Sequence, residues 1–134
     1  EDRPLTGKGR VLIMDDDASI LRVCGELVRN LGYEALFARN GSETIDMYTE
    51  SMKQGSKIDA IIMDLTIPGG MGGRDCVRRL IEIDPGVKAI VSSGYSNDPV
   101  MADYANYGFC GVILKPYRME QLGRALHDAL AGVT

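Results

Sequence analysis

At 134 residues, with 45% hydrophobic and 25% charged residues, the chain has the size and composition of one folded domain with its own core. A formal net charge of −4 argues against the basic footprint of a nucleic-acid binder, no apolar run reaches the ~18 residues of a membrane span, and no stretch has the pattern of a secretory signal. Three cysteines, Cys24, Cys76 and Cys110, are odd in number and form no Cys-x-x-Cys, which predicts reduced, buried or half-buried thiols in a reducing compartment rather than a disulfide frame or zinc site.

A polar lead, Glu1 to Gly9, reads as a linker, and a chain that opens on Glu reads as cut from something longer. The first strand is Arg10 to Met14. Ile20, Leu21, Cys24, Leu27, Val28 and Leu31 then recur at helical spacing, so an amphipathic helix is expected from about Ala18 to Leu31, stopped by Gly32. Tyr33 to Ala38 is a short strand. Asn40, with Glu43 three residues on, opens a helix through about Lys53. Ile58 to Met63 is the third strand, Met71 to Ile83 the third helix, and Asp84-Pro85-Gly86 stops it. A fourth strand spans Val87 to Val91. Asp98 as N-cap and Pro99 at the first helical position predict a weaker helix to Asn106. Phe109 to Leu114 is the fifth strand, and the last helix, Arg118 to Ala131, aligns Leu122, Ala125, Leu126, Ala129 and Leu130 on one face.

Five β/α units in alternation imply an α/β domain, a five-stranded parallel sheet with helices on both faces and right-handed crossovers. Its inner strands are nearly continuous apolar runs, as burial on both faces requires. The domain is expected to span residues 10–131, with 132–134 a short tail.

Four of the strands run directly into polar residues: Asp15-Asp16-Asp17, Asp64, Ser92-Ser93 and Lys115-Pro116. Ligands of an open parallel sheet bind outside the carboxyl ends of its strands, so these groups converge on one rim. Asp17 is accounted for as the N-cap of the first helix. Asp15 and Asp16 are adjacent carboxylates that repel one another unless a cation is present, and Asp64 adds a third. Mg²⁺ takes a few oxygen ligands and keeps several waters, so these acids with a backbone carbonyl at Thr66 suit it. Lys115 needs an anionic partner, which Asp64 or a phosphoryl oxygen would provide. Pro116 rigidifies the turn, and its peptide bond is a candidate for the cis form.

The ordered set Asp15-Asp16, Asp64-Leu65-Thr66-Ile67-Pro68, Ser92-Ser93-Gly94 and Lys115-Pro116 closely resembles the receiver domain of two-component response regulators, from Arg10 to about Ala131. The segments Ser93-Gly94-Tyr95-Ser96 and Pro68-Gly69-Gly70-Met71-Gly72-Gly73 are most similar to the C-terminal receivers of hybrid sensor histidine kinases. The resemblance implies a flavodoxin-like (βα)5 fold with strand order 2-1-3-4-5. It implies that Asp64 accepts a phosphoryl group from a phosphohistidine on a sensor histidine kinase or its phosphotransfer domain. Asp15, Asp16, Asp64 and the Thr66 carbonyl would hold Mg²⁺, with Mn²⁺ able to substitute. Ser93 would be the switch hydroxyl, Gly94 would leave room for the phosphoryl group and Lys115 would contact it. The surface of the fourth helix, fifth strand and fifth helix would then act on a downstream phosphotransfer or output protein, without direct nucleic-acid contact, in a monomer or a weak dimer through that surface. Such a domain is a switch rather than a turnover enzyme, cytoplasmic even where its parent protein is membrane-anchored. Two positions depart from the family. Val112 stands where receivers carry Phe or Tyr, and the loop after Pro68 is longer, with Gly72 where aspartate is common; its four glycines predict a flexible loop with positive φ angles.

Two other readings compete. A receiver-like protein-binding module would keep the fold without phosphorylation, but no site residue is missing. A haloacid-dehalogenase-like phosphatase would use Asp15-Asp16-Asp17-Ala18-Ser19 as its nucleophile motif, but it needs a later acidic pair and a cap insertion, and neither is present. His127, the single histidine, is expected on the solvent face of the last helix.

Overall fold

The computed structural model describes residues 5–132. Its elements are β1 (Arg10–Met14), α1 (Ala18–Asn30), β2 (Glu34–Ala38), α2 (Gly41–Gln54), β3 (Ala60–Asp64), α3 (Gly73–Ile83), β4 (Ala89–Ser93), α4 (Pro99–Ala102), β5 (Gly111–Leu114) and α5 (Met119–Ala131). The strands form one parallel sheet in the order β2-β1-β3-β4-β5. This is the flavodoxin-like arrangement the alternation and the resemblance implied. The described part of the N-terminal lead lies against the domain: Gly7 donates its N–H to the Leu31 carbonyl (2.9 Å), and Gly9 accepts from Glu34 (2.8 Å). Residues 1–4 of that lead and 133–134 of the C-terminal tail lie outside the described residues.

The period of two along each strand divides the core. Val11, Ile13, Ile62 and Ile90 face the layer of α1 and α5, while Leu12, Met14, Met63 and Val91 face α2 and α3. Each of these is essentially inaccessible, and full burial of one such aliphatic side chain contributes about 1.5–3 kcal/mol relative to exposure. With three central strands fixed from both sides, their carboxyl ends form a rigid rim.

Helix starts follow the chemistry of the orphan N–H groups. Asp17 Oδ1 accepts from the Ser19 N–H (2.9 Å) and Asn40 Oδ1 from the Glu43 N–H (2.9 Å). The Glu43 carboxylate reaches back to the Arg39 N–H (2.8 Å), so two donors at the start of α2 are satisfied reciprocally.

Several boundaries move. β3 and β4 begin two residues later than the apolar runs suggest and extend through Asp64 and Ser93, which makes these the last residues of their strands. The helix expected over Pro99–Asn106 is one turn, α4, followed by a 3-10 turn at Tyr104–Tyr107. Asp103 leaves helical geometry (φ −124, ψ 37) and its carboxylate accepts from the Asn106 side chain at 2.7 Å. Local bonds of this kind compete with the helix ladder. The glycine loop also departs from expectation, since only Gly69 has a positive φ there. Gly72 and Gly73 are instead needed for close approach: a Cβ on Gly72 would lie 2.4 Å from the Leu65 carbonyl oxygen, and one on Gly73 2.8 Å from that of Asp64. α3 accordingly starts at Gly73, not Met71, tight against the exit of β3.

Replacing Asn40 with alanine removes a cap without touching the rim. Asn40→Ala is expected to cost about 1 kcal/mol and to lower the melting temperature by roughly 4 °C. Asn40→Ser, which keeps an acceptor, should recover most of the loss in a thermal melt.

Candidate phosphoacceptor site

β1 and β3 are adjacent and parallel, with Met14 paired to Met63, so the residues that follow each strand emerge side by side. Asp15 is fixed first. Its N–H donates to the Ala38 carbonyl (3.1 Å), and its Oδ1 accepts from the Asp17 N–H (3.0 Å). On the other side of the rim, Leu65 donates to the Ser92 carbonyl (2.9 Å), tying the exit of β3 to β4. Asp15 and Asp64 are buried and Asp16 is exposed; one carboxylate oxygen from each lies within 4.8 Å of the others.

Lys115 enters from β5. Its N–H donates to the Ser93 carbonyl at 2.9 Å, and its Nζ lies 2.7 Å from Asp15 Oδ2 and 3.4 Å from Asp64 Oδ2. The sequence suggested Asp64 as the lysine's partner; in the folded domain the shorter contact is to Asp15. That contact is a close, buried ion pair, and Asp15 Oδ2 has no other protein partner, so it keeps unused acceptor capacity although it is buried. The Lys115–Pro116 peptide is cis.

Burial raises the Asp64 carboxyl above its ordinary value, the Lys115 ammonium pulls it back, and Asp15 pushes it up again. For Lys115, burial lowers the ammonium, but Asp15 and Asp64 outweigh this and hold it above its ordinary 10.5. Its contribution to stability is therefore complete at pH 7 and is lost only as pH rises through that elevated value. One amine faces three carboxylates, so the rim carries uncompensated negative charge. Three crowded carboxylates with spare, buried acceptor capacity suit a hard divalent cation, which binds through oxygens and tolerates bridging waters.

Ser93 is buried at the end of β4, and its Oγ accepts from the Tyr95 N–H at 3.0 Å. Gly94 follows in open space, where an added Cβ would meet nothing within 4 Å. Thr66 is exposed just beyond Asp64, and its N–H supports the Asp64 carboxylate. The strand ends thus gather Asp15, Asp16, Asp64, Thr66, Ser93 and Lys115 at one edge of the sheet. Sequence reasoning did not find a polar pair beneath them: Ser92, in register with Asp64, pairs its hydroxyl with that of Tyr117 at 2.5 Å. A second serine one residue before the expected switch position was the available signal. The cysteines are free, and burial pushes the Cys24 and Cys76 thiols up to about 12. His127 is exposed on α5, 3.6 Å from Asp128.

Known proteins resemble the chain in sequence and in fold. Residues 11–127 match the model of the response regulator receiver domain. The chemotaxis protein CheY of Thermotoga maritima is 33% identical over 119 residues, 88% of this chain and 94% of that one. The sensor kinase CckA of Brucella abortus is 25% identical over 126 residues, which are 94% of this chain but 13% of the kinase. A response regulator receiver domain protein from Clostridium thermocellum superposes with a TM-score of 0.81 at 25% identity, over 92% of this chain and 95% of its own.

The raised Asp64 carboxyl has a measurable consequence. Folding takes up a proton from the unfolded value of 3.8 upward, so the native state loses stability as pH rises through that window. With a chelator present, Asp64→Asn should melt higher than wild type at pH 7. The difference should shrink as pH falls toward 3.8, and a difference independent of pH would contradict burial as its cause.

Proposed function

The chain belongs to the response regulator receiver family, and on that premise we propose that it is a phosphoacceptor switch of a two-component phosphorelay with Asp64 as the acceptor. The observation that carries this reading is the Lys115 amine held between two carboxylates, 2.7 Å from Asp15 and 3.4 Å from Asp64. The donor is a phosphohistidine on a sensor histidine kinase or its phosphotransfer domain.

In the transfer, an Asp64 carboxylate oxygen attacks phosphorus in line. The new P–O bond forms as the P–N bond breaks, and the imidazole leaves with the electron pair. Asp15, Asp16, Asp64 and the Thr66 carbonyl are the groups that would hold Mg²⁺, or Mn²⁺ in its place, and the ion supplies neutralisation of charge on the transferring oxygens. Lys115 leaves Asp64 for a phosphoryl oxygen, a move of little distance because its backbone is already fixed to β4. Ser93 donates its hydroxyl to another phosphoryl oxygen while Tyr95 still donates to Ser93. Gly94 leaves the approach open.

The product differs from the resting domain by about one additional negative charge and by new acceptor oxygens. Drawing Ser93 and Lys115 inward acts on β4 and β5 together, and so on the face formed by α4, β5 and α5. A resting state favoured by ~2 kcal/mol is reversed by a phosphoryl differential of ~4 kcal/mol. That face would address a downstream phosphotransfer or output protein, or a second copy in a weak dimer. The domain assists its own phosphorylation and dephosphorylation and acts on no external substrate. Its boundaries are taken as 10–131, and the free thiols support a cytoplasmic setting. Similarity to a short part of a sensor kinase supports a parent of the hybrid-kinase type.

Incubation with Mg²⁺ and acetyl phosphate, read by intact mass, tests the assignment. Wild type should gain one phosphoryl group, and Asp64→Asn or wild type in excess chelator should gain none. Labelling of Asp64→Asn at the wild-type rate would assign the acceptor elsewhere.

A further inference from the structure

The turn that carries Lys115 is fastened to β4 at two successive residues. The Lys115 N–H donates to the Ser93 carbonyl at 2.9 Å, and two residues later the Tyr117 hydroxyl pairs with Ser92 Oγ at 2.5 Å. Ser92 is fully buried and stands in register with Asp64 on β3 and with Ile113 on β5. It therefore lies under the site, between the acceptor's strand and the lysine's strand. The Tyr117 ring joins the apolar layer of α1 and α5 and, with Ile20 and Val23, lines a groove beside Lys115. Burial raises the Tyr117 phenol, so the pair is one of neutral hydroxyls at physiological pH. The carboxylates grip only the tip of the long Lys115 side chain, 2.7 and 3.4 Å from its Nζ, whereas the hydroxyl pair holds the turn itself.

We propose that Tyr117 and Ser92 are positioning residues for phosphoryl transfer at Asp64: their hydroxyl pair pins the Lys115–Pro116 turn so that the ammonium stands between Asp15 and Asp64. The inference rests on the phosphoacceptor reading of Asp64. Loss of either hydroxyl leaves the other buried without its partner, releases the turn on the α1 side and lets the Lys115 amine leave the carboxylates for solvent. The apolar packing of the ring is retained by phenylalanine, so the effect belongs to the hydroxyl.

The test uses Tyr117→Phe, Ser92→Ala and the double variant, with two readouts. Acetic anhydride labelling, followed by peptide mass spectrometry, reports the reactivity of Lys115 against the exposed Lys53 and Lys57. Acetyl phosphate with Mg²⁺ reports the rate of phosphoryl incorporation. Each single variant should label Lys115 about fivefold faster than wild type, the factor of a hydrogen bond of ordinary net strength, with Lys53 and Lys57 unchanged. Phosphoryl incorporation should slow by a similar factor. The double variant should be no worse than either single one, since one bond is lost once. Lys115 reactivity at the wild-type level in both single variants overturns the proposal, as does an additive effect in the double. A uniform rise at all three lysines would mark general loosening and also overturn it. If wild type takes up no phosphoryl group, the functional reading fails, while the lysine labelling still decides whether the hydroxyl pair places the amine.

Discussion

Three carboxylates and one amine share a single edge of a parallel sheet, and the rest of the site depends on that imbalance. Asp15 and Asp64 are buried, so neither can rely on bulk water to disperse its charge. The Lys115 amine offsets part of the repulsion, 2.7 and 3.4 Å from the two buried acids, and the remainder stays as a demand for positive charge. A bound cation would supply the missing positive charge, and more so once a phosphoryl group added its own negative charge. Cation binding at this rim would therefore relieve a cost already present in the fold.

The rim can carry that cost because the strands behind it are over-determined. β1, β3 and β4 are covered on both faces, and their inner residues alternate between two apolar layers. Gly72 and Gly73 let the loop after Asp64 return close along β3 without a side chain in the way. Asp64 is therefore the end of a rigid rod, not a residue on a mobile loop, which is the placement that positioning-dependent phosphoryl transfer would require of an acceptor.

Much of this was legible in the sequence because it is local or periodic. The alternation of strands and helices, the caps at Asp17 and Asn40, and the arrival of acids, serine and lysine at strand ends each follow from a few neighbouring residues. The reading failed at one local competition and wherever separate segments decide. The helix at Pro99 has the right start signal, but Asp103 and Asn106 satisfy one another and stop it after a turn. Glycines at 72 and 73 suggested loose backbone, whereas the approach of β3 explains them by lack of space. The Ser92–Tyr117 pair joins two strands' ends across 25 residues, and Lys115 pairs most closely with Asp15, 100 positions away. No window along the chain contains either fact.

The same contrast between rigid and loose packing bears on how a change at Asp64 could travel. β5 is an edge strand of four residues with Leu114 exposed and Val112 only half-buried, and α4 is a single turn. Elements with few buried contacts open at lower free energy than the core that supports them. Ser93 and Lys115 sit where the over-determined half of the sheet meets this lightly packed edge, joined there by the Lys115 N–H to the Ser93 carbonyl. A pull on both residues toward Asp64 would meet stiff resistance on the β1–β3 side and little on the β5 side, so β5 and the adjoining α4 and α5 would be the elements to move. With Val112 in place of an aromatic ring, that displacement has no single large side chain to rotate. The Tyr104–Tyr107 turn, packed beside β5, is the neighbouring surface that such a displacement would reach.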